Sequence, residues 1–310
     1  MNNRIMNNRI MNNRIMNIII TGSSGFIGAH LTRMLHNHPR IGKIYAIDID
    51  IDNKIIGYDD ARLIYIKASI ADVGKLDIPI PDIIFHLGEF SRINKSFEMP
   101  DKVVDTNVIG TIQLLEYARR NNIMVVYAAS SSVHDLDVKN NMNPYTLSKV
   151  HNIDWIKYYH KWYKLSYCIL YFYNVYGAGQ LDNNMGTVIG KFISQWESNE
   201  PLSVVSPGTQ TRAFTHIDDT IDAIHTIFEK DILVNLDKGL VLSSSYDIAN
   251  SKQYSILEIV KMFWTNHKLV NNEKVNRLSS VISNNDLLLL GWKSKYDLPD
   301  YISEIISRRH

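Results

Sequence analysis

Short apolar runs alternate with stretches whose apolar residues recur at helical spacing. Ile18–Ile20, Lys43–Ile49, Ala61–Ile66, Asp82–His86, Met124–Ala129 and Ser166–Tyr173 read as strands. Phe26–Leu35, Asp101–Arg120 and Leu147–Trp162 read as helices, the second stopped by Asn121-Asn122. Near-continuous apolar runs suit strands covered on both faces. Their alternation with helices predicts an α/β fold, a Rossmann-like doubly wound parallel sheet. In such sheets the loops after the strands gather at one edge, where ligands bind. After Tyr176 the pattern loosens around Gly177, Gly179, Gly186, Pro201, Pro207 and Gly208, which predicts a smaller C-terminal substrate-binding lobe. Ala213–Phe228 and Tyr246–Ala249 are expected to return to the main sheet. The expected division is a leader over 1–15, a sheet domain over 16–175 plus about 213–249, and a lobe from 176–212 and 250–310.

Composition narrows the class. The 310 residues are 45% hydrophobic and 21% charged, an ordinary globular balance with length for a large core. The net charge is +1 and no long basic run occurs, which argues against nucleic acid as the main partner. No apolar run reaches the roughly 18–20 residues that span a bilayer, so no membrane role is expected. Cys168 is the single cysteine and lies in an apolar strand-like run. It reads as a buried, inert thiol, and the lack of an intrachain disulfide fits a reducing, cytoplasmic setting. Met-Asn-Asn-Arg-Ile occurs three times before Met16. A five-residue period does not follow a helix, so 1–15 reads as a disordered repeat leader. Its arginines without acids also suit a transit peptide, but it lacks the serines.

The first strand runs into Thr21-Gly22-Ser23-Ser24-Gly25-Phe26-Ile27-Gly28. Glycines there permit a tight turn and let backbone N–H groups approach a pyrophosphate, with a helix N-terminus behind them. The spacing is Gly-x-x-Gly-x-x-Gly, not the commoner Gly-x-Gly-x-x-Gly. Asp48 ends the second strand about 20 residues on, where an acid accepts ribose hydroxyls and repels a 2′-phosphate. The expected cofactor is therefore NAD, with Asp50 and Asp52 as rival acids. Asp72 reads either as a partner for the adenine amino group or as a turn cap.

Tyr145 and Lys149 are four apart at the start of a helix, one turn from each other. A nearby ammonium favours the phenolate, so the tyrosine can exchange a proton with a hydroxyl or ketone. Upstream, a strand ends at Ser130-Ser131-Ser132-Val133, which places a hydroxyl at the ligand edge.

Together these motifs resemble the extended short-chain dehydrogenases/reductases, in the NAD-dependent nucleotide-sugar epimerase/dehydratase family. Phe85-His86-Leu87-Gly88, Asn107-Val108-Ile109-Gly110-Thr111, Asn174-Val175-Tyr176-Gly177, Thr211-Arg212-Ala213-Phe214 and Leu290-Gly291-Trp292 extend the likeness from about Met16 to Trp292. The resemblance implies catalytic roles for Ser130, Tyr145 and Lys149. It implies cofactor contacts at Gly22, Ser24, Gly25, Phe26, Ile27, Gly28, Asp48, Asp72, Val73, Leu87, Gly88, Asn107 and Lys149. It places substrate at Ser130, Ser131, Ser132, Tyr145, Asn174, Thr187, Val188, Arg212 and Arg277, the two arginines as a diphosphate clamp. It implies no metal, and homodimers through helices such as Asp101–Arg120 and Leu147–Trp162. Two departures stand out: Val133-His134-Asp135 replaces the usual Val-Tyr-Gly, and Glu89 puts an unusual acid near the nicotinamide. His86 and His134 read as structural.

The family's dehydratases carry Thr-Asp-Glu at the serine strand end, and its decarboxylases a Glu. Here Ser130-Ser131-Ser132 offers no carboxylate, which disfavours both reactions. Ala128-Ala129-Ser130-Ser131-Ser132 is similar to UDP-N-acetylhexosamine 4-epimerases. The expected reaction is C4 epimerisation of a UDP-hexose or UDP-N-acetylhexosamine through a 4-keto sugar. A 4-ketoreductase is the nearest alternative, and a non-catalytic NAD-binding regulatory protein is the alternative of another class. Small residues at Ser279, Ser280 and Ser283 favour an N-acetylhexosamine.

Overall fold

The computed structural model describes residues 14–51, 60–135, 142–180, 186–271, 279 and 281–309. Asp52, Arg277, Leu278, Ser280 and leader residues 1–13 lie outside the described residues. Seven parallel strands form the main sheet: β1 (Met16–Thr21), β2 (Ile41–Asp48), β3 (Leu63–Lys67), β4 (Ile83–His86), β5 (Met124–Ser130), β6 (Tyr167–Phe172) and β7 (Ser243–Ile248). Their spatial order is β7-β6-β5-β4-β1-β2-β3. The order reverses between β1 and β4, the place where a doubly wound sheet opens a ligand crevice.

Period-two alternation decides which face each side chain covers. Ile18 and Ile20 of β1, Ile83 and Phe85 of β4, and Cys168 and Leu170 of β6 share one core with Leu31 and Leu35. Ile19, Ile84, Val125 and Ile169 face the other core, with Leu114, Leu115, Ile153 and Ile156. The first face is covered by α1 (Phe26–His36), the second by α2 (Gly110–Asn121) and α3 (Pro144–Tyr163). Truncating one of these isoleucines to alanine costs about 2–5 kcal/mol, because the site cannot collapse around the gap. Cys168 is fully buried, and burial pushes its thiol up to about 12, so it stays protonated.

The helices end where the local chemistry dictates. α2 stops at Asn122, which takes the left-handed conformation at φ 52°. It is preceded by a π turn over Val104–Ile109, a widened turn that sets Asn107 inward and fully buried. α3 starts three residues earlier than the apolar pattern suggests: Asn143 caps it through the Thr146 N–H, and Pro144 takes the first helical position.

Of the two segments expected back at the sheet, Tyr246–Ala249 returns within β7 beside β6. Ala213–Phe228 also comes back to the main sheet, but as a helix covering it rather than as a strand within it. Thr211–Ala213 and Thr215–His216 pair in separate two-stranded sheets, and Ile217–Ile227 forms α4. Its apolar stripe, Ala223, Ile224 and Ile227, joins the α1 face of the core instead. A third core gathers Phe192, Val204, Phe214, Ile259, Phe263 and Ile302 from the smaller region. Leu287 and Trp292, late in the chain, pack into the main sheet core. No described helix is long and apolar enough to cross a membrane.

Candidate active site

At the end of β1 the backbone folds back on itself with no room for side chains. Gly22 takes φ +71°, and a Cβ there would lie 2.8 Å from the Gly88 nitrogen. A Cβ on Gly28 would lie 2.0 Å from the Gly22 oxygen, so α1 can approach the loop only with glycine at that position. Gly25 caps α1 without a side-chain hydrogen bond, and the first turn, containing Phe26 and Ile27, carries no acid. The helix therefore offers its N–H groups and positive end to an anion. Asp48 stands beside this loop: one carboxylate oxygen accepts from the Ser24 N–H at 3.0 Å, the other from the Asp50 N–H at 3.2 Å. Glycines that exclude side chains, an uncapped helix start and an acid at the β2 end together fit a dinucleotide. Gly22, Gly25 and Gly28 would cradle its pyrophosphate and Asp48 would face its ribose.

Asp72 and Val73 sit in a short helical turn after β3, Val73 fully buried. The Asp72 carboxylate is half-exposed and pairs with Lys75 at 2.7 Å. Asn107 accepts from the Phe90 N–H at 2.7 Å and donates to the Phe90 carbonyl and to Ser148 Oγ. It thus ties the segment after β4 to α3.

The second half of the site is built from side chains. Tyr145 lies in the first turn of α3 and is buried. Lys149, one turn on and also buried, donates from Nζ to the Ala128 carbonyl at the β5 end. Its Nζ lies 5.9 Å from the centre of the Tyr145 ring and 4.7 Å from that of Tyr127. The same nitrogen is 2.6 Å from Glu89 Oε2, both side chains being almost completely removed from solvent. Glu89 Oε1 accepts from Thr111 Oγ1 at 3.0 Å and from Asn152 Nδ2 at 2.9 Å. Burial, aided by the Glu89 charge, pushes the Tyr127 phenol well above its usual range.

A hydrogen-bond chain joins the two halves. The Leu87 and Gly88 N–H groups donate to Thr21 Oγ1, which contacts His86 Nδ1 at 2.9 Å. His86 Nε2 contacts Thr111 Oγ1, also at 2.9 Å. Thr111 gives its proton to Glu89, so His86 must donate from Nε2 and accept at Nδ1. That requires a neutral ring, and burial pushes His86 down to about 4. His86 is thus a structural link between glycine cradle and lysine.

Ser130 ends β5 and accepts from the Ser132 N–H at 3.2 Å. Ser131 is buried, and the Ser132 hydroxyl is buried without a hydrogen-bond partner. His134 follows, 3.3 Å from Asp247 at the β7 end, with its ring 4.3 Å from the Tyr171 ring. Asn174, at φ 36°, donates to the Ala213 carbonyl at 2.7 Å and so sits beside the strand that carries Arg212. The Arg212 guanidinium donates to the Thr211 carbonyl. Thr187 caps the helix that opens with Val188 and also donates to Gln180. Two groups escape sequence reading, Asn152 and Arg92, and Thr111 reads only as the end of a motif, without a role. Asn152 stands three residues after Lys149 on the same helix face, a spacing that could have revealed it. Burial pushes the Arg92 guanidinium below its usual range, and it lies within electrostatic reach of Tyr145.

A model of the NAD-dependent epimerase/dehydratase family matches residues 18–236. The chain is 29% identical over 241 residues to a protein of Methanocaldococcus jannaschii assigned as a UDP-glucose 4-epimerase, covering 72% of this chain and 77% of the relative. It is 27% identical over 274 residues to a dTDP-D-glucose 4,6-dehydratase of Dictyostelium discoideum, covering 79% of this chain and 60% of that protein. Among solved structures, the UDP-glucuronic acid 4-epimerase of Bacillus cereus, in complex with UDP-glucuronic acid and NAD, superposes with a TM-score of 0.81. That match has 23% identity over 95% of this chain and 100% of the other, a likeness of fold. The chain belongs to the NAD-dependent epimerase/dehydratase family.

Proposed function

We propose that this family member is a nucleotide-sugar 4-epimerase acting on a UDP-hexose or UDP-N-acetylhexosamine. What supports the reading is that Tyr145, buried one helical turn from Lys149, is the proton carrier this reading assigns among the described residues. The β5 end supplies hydroxyls only, at Ser130, Ser131 and Ser132. The buried carboxylate Glu89 already holds Lys149, Thr111 and Asn152. Elimination of water needs a further acid and base. Epimerisation needs one proton carrier and a reversible hydride acceptor.

In this reading Tyr145 takes the proton of the sugar 4-hydroxyl, and Lys149 stabilises the phenolate that receives it. Ser130 donates to the oxygen as it becomes a ketone. Bound NAD would supply a reversible hydride acceptor for C4, so that the reaction carries no net oxidation. The 4-keto sugar turns about its diphosphate tether between the two transfers. Arg212 and Asn174 would hold that tether, and Thr187 and Val188 would line the nucleotide end; Arg277, assigned the same clamp by resemblance, lies outside the described residues. The lobe over 176–212 and 250–310 would close on the sugar, while the sheet domain keeps the cofactor.

Incubation with UDP-glucose, UDP-N-acetylglucosamine and their 4-keto-6-deoxy forms, with NMR of the products, tests the assignment. The expected result is a C4 epimer without net NADH use. Stoichiometric NADH consumption with a 4-keto sugar, and no turnover of the parent sugars, would replace it with a ketoreductase. We further infer a homodimer through α3, whose Leu147, Trp155, Tyr158, Trp162 and Tyr163 are 36–52% exposed. A monomer by sedimentation at micromolar concentration would refute the dimer.

A further inference from the structure

The Glu89–Lys149 pair demands a physical account. Taking two charges out of water costs several kcal/mol per ion, and a buried pair rarely repays that in stability. It is kept where something else is gained. Lys149 has three ammonium protons. One goes to the Ala128 carbonyl, and Glu89 Oε2 lies 2.6 Å from the same nitrogen as an ion pair. A further proton remains for a hydroxyl ligand or the phenol side. The acid is locked in turn, since Thr111 and Asn152 hold its other oxygen.

Among the described residues, charged and titratable groups reach Tyr145 and Lys149 from four elements. Lys149 comes from α3, Arg92 from the segment before Ile93–Ser96, Glu89 from the loop after β4 and Tyr127 from β5. His86 of β4 is neutral. Without Glu89 the phenol would face, among these described residues, two cations and no anion. With it, the local charge is one net positive, and Lys149 has a fixed position.

We propose that Glu89 is a positioning residue for the reaction: it orients Lys149 and offsets its charge, and so sets the pH at which Tyr145 becomes the phenolate. This rests on Tyr145 and Lys149 being the acid–base pair of the proposed function. The sign follows from charge alone. Removing the anion leaves Lys149 and Arg92 uncompensated, which favours the phenolate and moves its formation to lower pH.

The test is a pH titration of tyrosinate ultraviolet absorbance in the NAD-bound full chain, with the Tyr145→Phe trace subtracted in each background. In Glu89→Gln, nearly the same shape without the charge, the Tyr145 signal is expected to shift by about one pH unit toward acid. Glu89→Asp keeps the charge and shortens its reach, so it should fall between Gln and the parent. It also serves if the Gln variant does not fold. The acidic limb of kcat/KM should move by the same amount. An unchanged titration, or a uniform loss of activity at all pH with the limb in place, would overturn the proposal and leave Glu89 a packing residue. The titration needs no sugar. A shifted tyrosinate signal in a chain that turns over no nucleotide sugar would sink the epimerase reading while this inference stood.

Discussion

The two halves of the site are rigid for opposite reasons. The cradle at Gly22–Gly28 is held by exclusion: backbone meets backbone, and no side chain fits between. The cluster under Tyr145 is held by side-chain pairing: Lys149 meets Glu89, and Thr111, Asn152 and His86 are joined to it by hydrogen bonds. The cradle tolerates no added volume. The cluster is sensitive to a lost partner, because each buried polar group newly left unpaired costs about 1–3 kcal/mol. Thr21 belongs to both, bonding the Gly88 N–H on one side and His86 on the other.

Substitutions can break this contrast cleanly. Removing the phenolic oxygen should act on chemistry alone. Tyr145→Phe is expected to lower kcat by about 10²–10⁴ while NAD content stays the same. Loss of NAD from that variant would mean that cradle and cluster are not separable. Adding volume should act on the cradle alone. Gly28→Ala is expected to cost about 3 kcal/mol, since the new Cβ would meet the Gly22 oxygen rather than a movable side chain. Thermal unfolding and NAD retention measure it together, and a variant normal in both would show that the loop can yield.

The chain through His86 sharpens the comparison with pH. Its ordinary value is near 6.5, and burial lowers it to about 4 in the folded protein. Between those values the unfolded chain binds a proton that the folded chain refuses. Stability is therefore fully present above about 6.5 and is lost as pH falls toward 4, by about 3 kcal/mol in all. Urea unfolding across that window should show the slope, and His86→Gln should flatten it. The smallest effect belongs to Asp48. Its replacement by alanine removes the bond from the Ser24 N–H, worth about 1 kcal/mol, and should relax the preference for NAD over NADP. Unchanged cofactor selectivity would move the ribose role to Asp50.

Much of this was legible from local pattern. The six early strands, the glycine spacing, Asp48 and the Tyr145/Lys149 pair each announce themselves within a few residues, since strand and helix periods are local rules. What was not legible lies where locality fails. Ala213–Phe228 has the hydrophobic content of a sheet segment, yet an amphipathic stripe can be buried equally well by a helix lying on that sheet. Glu89 was visible as an odd acid, but nothing near it in the chain says that it meets Lys149.

By itself the sequence determined a parallel α/β sheet, a glycine turn of the dinucleotide-binding pattern and a Tyr/Lys pair, because each depends on spacing along one stretch of chain. Only the tertiary structure decided that Lys149 is shared between Ala128 and Glu89, and that Thr21, His86 and Thr111 link cradle to lysine. Charge pairing and hydrogen bonding depend on which groups burial brings within about 3 Å. That proximity is set by how β1, β4, α2 and α3 pack, not by their order in the chain.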